Sequence, residues 1–100
     1  MPFQQPFPRS FVASSIREYA PAASGVFGIS NAREWIYIGE SDNVQASLVE
    51  LLADVRSEIH QMQPKGFVFE ACAAGARAGR LARLISEYDP VCNRQQRRAR

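Results

Sequence analysis

Residues Ser24 to Ser41, SGVFGISNAREWIYIGES, decide how the rest of the chain is read. Val26, Gly28 and Ser30 alternate with Phe27 and Ile29, and Trp35, Tyr37 and Gly39 alternate with Ile36 and Ile38. β-Branched and aromatic residues at period two predict two strands. The polar link Asn31-Ala32-Arg33-Glu34 joins them into a β-hairpin. Gly25, Gly28 and Gly39 leave no side chain to pack. Glycine in a strand marks a bend, a bulge or a place where something comes close to the backbone. The residues alone leave those readings open.

Downstream, Ser41-Asp42-Asn43 offers helix caps, and Val44, Leu48, Leu51, Leu52, Val55 and Ile59 form one apolar stripe. The spacing predicts a helix over about 43–60, ended by Gln63-Pro64-Lys65-Gly66. GFVFEACA, from Gly66 to Ala73, alternates as a third strand, with Phe67, Phe69 and Ala71 on one face and Val68, Glu70 and Cys72 on the other. A last helix is expected over about 76–88, buried through Leu81, Leu84, Ile85 and Tyr88, with Arg80, Arg83 and Glu87 toward solvent. Arg77 projects only about 25° from the centre of that stripe. It must snorkel, pair with a carboxylate such as Glu70, or enter a cleft.

Upstream, three prolines in MPFQQPFP predict an extended or disordered start. Ser10 is read as the cap of a helix reaching Tyr19, with Val12, Ile16 and Tyr19 on one face. Pro21 stops it. The order is α-β-β-α-β-α, an α+β fold in which a small, three-stranded, mainly antiparallel sheet is flanked by helices. The organisation reads as an N-terminal extension over 1–21, a domain over 22–93 and a basic tail over 94–100.

A chain of 100 residues, 46% hydrophobic, holds one modest core and is not disordered by composition. No apolar run approaches the roughly 20 residues that span a bilayer. The N-terminus has no basic segment followed by an apolar core, so a cytoplasmic protein without a membrane partner is expected. Cys72 and Cys92 are no disulfide framework, and one histidine makes no zinc cluster. The net charge is +2, yet Arg94, Arg97, Arg98 and Arg100 fall in the last seven residues with no acid among them. Without them the chain has 8 basic and 10 acidic residues, so its basicity belongs to the tail. A basic groove across the body is not expected.

The motifs together resemble the GIY-YIG nuclease domain over roughly Gly25 to Asn93. Gly25-Val26-Phe27 stands for GIY, and Tyr37-Ile38-Gly39 is a complete YIG. Leu84-Ile85, Tyr88, Pro90 and Asn93 follow the family's closing L-I-x-x-Y-x-P-x-x-N. The resemblance implies phosphodiester cleavage by a water near two tyrosines, an arginine over the developing charge and a metal-binding glutamate. Tyr37 matches the second tyrosine, but Phe27 replaces the first, Ser47 the arginine and Leu81 the glutamate. Arg77 matches an arginine often found there, and Asn93 the closing asparagine.

The expectation is therefore a catalytically inactive, nucleic-acid- or phosphate-binding module, with no cofactor. Tyr37 and Arg77 are the catalytic remnants. Gly25, Phe27, Gly39, Asn93, Arg94, Arg97 and Arg98 are the candidate contacts to DNA or RNA, weak and salt-sensitive. The alternatives are a divergent nuclease using Mg²⁺ or Mn²⁺ through displaced ligands among Glu40, Asp42, Glu50 and Glu70, with Arg77 as its cation, or a domain that docks a protein partner. His60 is read as a surface histidine.

Overall fold

The computed structural model describes Phe3 and residues 7–93. Its order is β1 (Arg9–Ser10), α1 (Ala13–Tyr19), β2 (Gly25–Ser30), β3 (Trp35–Ser41), α2 (Val44–Ala53), α3 (Glu58–Gln61), β4 (Gly66–Ala71) and α4 (Ala74–Tyr88). The fold is α+β, but the sheet has four strands rather than three, in the order β1-β4-β2-β3, every pair antiparallel.

The added strand takes Ser10 out of its expected role as a helix cap. Ser10 lies opposite Gly66 and Arg9 opposite Phe67. Phe11 N–H donates to the Lys65 carbonyl at 2.9 Å. Gly66 permits this approach, because a Cβ there would stand 2.6 Å from the Pro8 side chain. α1 starts instead after Val12 and has no side-chain cap. It buries Ile16 completely, whereas Val12 and Tyr19 are exposed. The Arg9 guanidinium lies 3.7 Å from the Tyr19 ring centre and covers one face of it.

β2 is the middle of the molecule, and all six of its residues are buried. Phe27, Ile29 and Phe67 face one core with Phe11, which precedes α1, and with Ile16, Val44, Leu48 and Ile59 from α1, α2 and α3. Val26, Ile38 and Val68 face a second core with Leu84 and Phe3. The period-two reading of β3 fails at Ile36. Ile29 pairs with Tyr37 but Ser30 with Trp35, so a bulge leaves Ile36 without a partner of its own. The extra residue sends Ile36 into the first core and Trp35 to the second.

The helix expected over 43–60 breaks at Asp54. Ser57 competes for the chain by accepting His60 N–H at 3.2 Å and capping α3. Val55, counted on the apolar stripe, is left 70% exposed in the break, and Ile59 re-enters the core. His60 is half-buried, its Nε2 2.7 Å from the Leu52 carbonyl, so it ties α3 back to α2. α4 ends as expected, with Asp89 in the left-handed region at φ 48° and Pro90 after it.

Candidate functional site

The β2–β3 turn fixes where the hairpin's side chains stand. Asn31 Oδ1 accepts the Arg33 and Glu34 N–H groups at 2.8 and 2.9 Å, and its Nδ2 donates to the Met62 carbonyl at 2.8 Å. Past the bulge, regular pairing places Phe27 opposite Gly39. The Phe27 and Tyr37 rings, 6.1 Å apart, close over that glycine. A Cβ at position 39 would lie 2.8 Å from both rings. Gly25 is close to backbone instead, since a Cβ there would collide with the Glu70 carbonyl. What approaches both of these glycines is the protein itself.

Phe27, Tyr37 and Ser47 meet in a pocket of about 280 Å³, completed by Glu40, Glu50, Leu51 and Asp54. The described residues lining it include no arginine, lysine or histidine. Ser47 Oγ donates to Ser41 Oγ at 2.6 Å, and Ser41 Oγ accepts Asn43 N–H at 2.9 Å. Asn43 Oδ1 in turn accepts Ala46 N–H and caps α2. The serine in the arginine's expected place thus belongs to the capping network of a helix start. Glu50 and Asp54 meet no cation in the described lining and repel phosphate at this mouth, while Glu40 is shared with Arg77.

Arg77 stands elsewhere. α4 crosses the opposite side of the sheet, where Glu40 and Glu70 flank Val26 from the neighbouring strands. Arg77 donates through Nη1 to Asp42 at 2.6 Å and to Ser24 Oγ at 3.2 Å, and its Nε lies 3.3 Å from Glu40. That Nε is buried and, among the described residues, meets no acceptor in hydrogen-bonding geometry. The hydrogen bond to Asp42 holds the guanidinium still more firmly protonated than usual, against the pull of desolvation. Glu70, the partner the sequence offered to Arg77, belongs to Arg80. Arg80 grips it in a two-pronged bond of 2.7 and 2.8 Å, which likewise raises the Arg80 pKa against desolvation. Arg80 therefore does not group with Arg83 and Glu87 toward solvent.

The remaining candidates disperse. Leu81 packs against the second core, with Leu84, Ile85 and Tyr88 of its own helix. Asn93 is buried, accepting Ile38 N–H at 2.8 Å and donating to the Ile38 carbonyl at 3.0 Å. Arg94, Arg97 and Arg98 lie outside the described residues. Glu50 and Asp54, one helical turn apart, form a wall of the Phe27–Tyr37 pocket, which the sequence alone did not anticipate. That role depends on the hairpin beside them.

A divalent cation does not fit what is present. No group of three or more Asp, Glu, His or Cys side chains among the described residues comes together to hold one. Leu81, in the expected metal ligand's place, offers no donor. Of the displaced candidates, Glu40, Asp42 and Glu70 face arginines, and Glu50 stands in the pocket lining.

A central hairpin whose second strand is YIG, a helix on either side and a third long strand closing the sheet together define the GIY-YIG endonuclease-like fold. Solved structures that share it are of the GIY-YIG N-terminal endonuclease domain of UvrC from Thermotoga maritima, as point mutants bound to the catalytic divalent cation. One is 23% identical with a TM-score of 0.64, covering 76% of this chain and 91% of that domain. Another is 21% identical with the same score, covering 76% and 92%. No protein-family model and no curated protein matches the chain. No described helix is long and apolar enough to cross a membrane.

Proposed function

We propose that the chain is a catalytically inactive binding module on a GIY-YIG-like fold, which meets nucleic acid through its arginine tail and not through the cleft. The observation that carries this is the commitment of Arg77 to Asp42, Glu40 and Ser24, which leaves the described lining of the Phe27–Tyr37 pocket without a cation. No described arginine lines that pocket, and its carboxylates oppose a phosphate. Removing one preorganised charge-stabilising group costs about 3–4 kcal/mol of barrier. Here the arginine, the glutamate and one tyrosine hydroxyl are absent together.

The UvrC domain, by contrast, is an endonuclease with a catalytic divalent cation. This chain has the likeness of its fold without that set of residues. The sequence concentrates positive charge without acids at Arg94, Arg97, Arg98 and Arg100, so binding through them is electrostatic and indifferent to sequence.

One salt titration tests both halves. Labelled duplex and single-stranded oligonucleotides are mixed with the intact chain, with a truncation after Asn93 and with Arg77→Ala, in Mg²⁺, in Mn²⁺ and with a chelator. The oligonucleotides stay intact in every mixture, and affinity is the same with chelator. With about four phosphate contacts, log K falls with log salt at a slope near −3 to −4 on duplex. The truncation loses most of the binding and Arg77→Ala little. Metal-dependent cleavage, or a truncation that binds like the intact chain, overturns the proposal.

A further inference from the structure

The second core is completed by a residue from the N-terminal segment. Phe3, six residues before β1, is only 7% exposed. Its ring stacks on Trp35 at 6.2 Å with 20° between the planes, and lies 5.8 Å from Tyr88. Trp35 and Tyr88 are 4.7 Å apart. The Phe3 N–H donates to the Tyr88 hydroxyl at 3.1 Å. Gly28 is the floor: a Cβ there would stand 3.1 Å from both the Phe3 and Trp35 rings and 3.3 Å from Val68. The bulge at Ile36 supplies the wall, because it turns Trp35 to this side. A missing side chain, a redirected tryptophan and a tyrosine hydroxyl therefore make a slot for one aromatic ring and the N–H beside it.

Nothing in these contacts needs Phe3 to come from the same chain. Any Pro-Phe arm presents the same ring and N–H. The sequence carries that dipeptide twice, as Pro2-Phe3 and Pro6-Phe7. Phe7 is 79% exposed, so its ring is not packed in the core. We propose that the slot over Gly28, between Trp35 and Tyr88, is a receptor for a Pro-Phe arm, filled in one chain by Phe3 and by exchange with the arm of a second copy. A short tether gives an effective concentration in the millimolar range, so a dilute chain fills its own slot. Exchange of an identical arm needs no new interface chemistry, and it dominates once the internal plug is weakened.

Trp35 is the sole tryptophan and reports occupancy directly. The test uses the full chain, Phe3→Ala, Phe7→Ala and the double variant, with tryptophan emission and sedimentation mass followed from micromolar to millimolar protein. The wild type and Phe7→Ala keep a shielded, blue-shifted Trp35 and are monomeric when dilute. Phe3→Ala is red-shifted when dilute and recovers the blue emission as it dimerises, its Phe7 entering a second copy's slot. The double variant stays red-shifted and monomeric, and millimolar MPFQQPFP peptide restores its blue emission. Phe3→Ala emission that never differs from wild type, or a folded double variant that ignores the peptide, overturns the proposal. Should the variants unfold by circular dichroism, the wild type serves alone. Its Trp35 indole N–H resonance broadens saturably with millimolar MPFQQPFP peptide carrying a paramagnetic label at its C-terminus under the proposal, and an unbroadened resonance refutes it.

Discussion

Val26 and Phe27 are neighbours in β2, yet they look into opposite electrostatic worlds. Beyond Val26, the carboxylates of Glu40 and Glu70 meet Arg77 and Arg80, three residues apart on α4. Beyond Phe27, Glu50 and Asp54 face an aromatic pocket whose described lining holds no cation. The first side is a closed interface that fastens a helix. The second is an open mouth whose charge favours a cation over a phosphate. A basic residue near a nuclease-like motif thus says little about function until its partners are known.

The largest effect that tests this contrast comes from the fastened side. Leu84 is fully buried between α4 and the sheet. Leu84→Ala should cost about 2–5 kcal/mol in urea unfolding, through lost burial and the cavity left behind. A loss under about 1 kcal/mol would mean that the ion pairs rather than the apolar contact hold the helix.

The next comparison separates the two arginines. Arg80→Ala leaves Glu70, whose side chain is only 26% exposed, without its two-pronged partner. It should cost about 1–2 kcal/mol. Arg77→Ala should cost less. Its partner Asp42 is 90% exposed and returns to water, and a buried Nε without an acceptor disappears. Equal losses, or a greater one at position 77, would show that the Asp42 and Glu40 pair is the true fastening.

Much of this was legible beforehand. The hairpin, the third long strand and α4 follow from period and punctuation, and the start of α2 from its caps. What escaped depends on residues distant in sequence. β1 exists because Gly66 leaves room beside Pro8, and two residues of strand carry no pattern of their own. The bulge at Ile36 preserves the composition of β3 while reversing the face of Trp35. Val55 continues the apolar stripe in number, but Ser57 captures the chain before the helix can reach it. The assignment of Glu70 to Arg80 rather than Arg77 is a choice between positions one helical turn apart. It is decided by where α4 sits along the sheet. The candidate site fared similarly. Phe27, Tyr37 and Ser47 were legible as one constellation, while the carboxylate wall needed α2 in place beside β3.

The smallest expected effect lies in the first core, on the pocket side. Burial pushes the Cys92 thiol above its ordinary value of 9.0, with nearby Glu58 and Glu34 adding to the rise. The unfolded chain therefore loses this proton first as pH rises. Stability contributed by the neutral thiol is present below about pH 9 and declines through the interval up to the raised folded value. Unfolding in urea at about pH 8 and about pH 10 should show a steeper decline for the native chain than for Cys92→Ala. Parallel slopes would mean that water reaches the thiol and that this core is looser than the other.

Asn93 has a consequence for life in a crowded solution. β3 is the outermost strand of the sheet, and its outward N–H and C=O groups are an invitation for a foreign strand to add on. The Asn93 amide occupies both groups of Ile38 at mid-strand and imitates one residue of a further strand that can go no further. A passing extended segment thus finds the ladder interrupted at its centre. The closing asparagine denies a foreign strand the middle of this edge, a role separate from any cleavage chemistry.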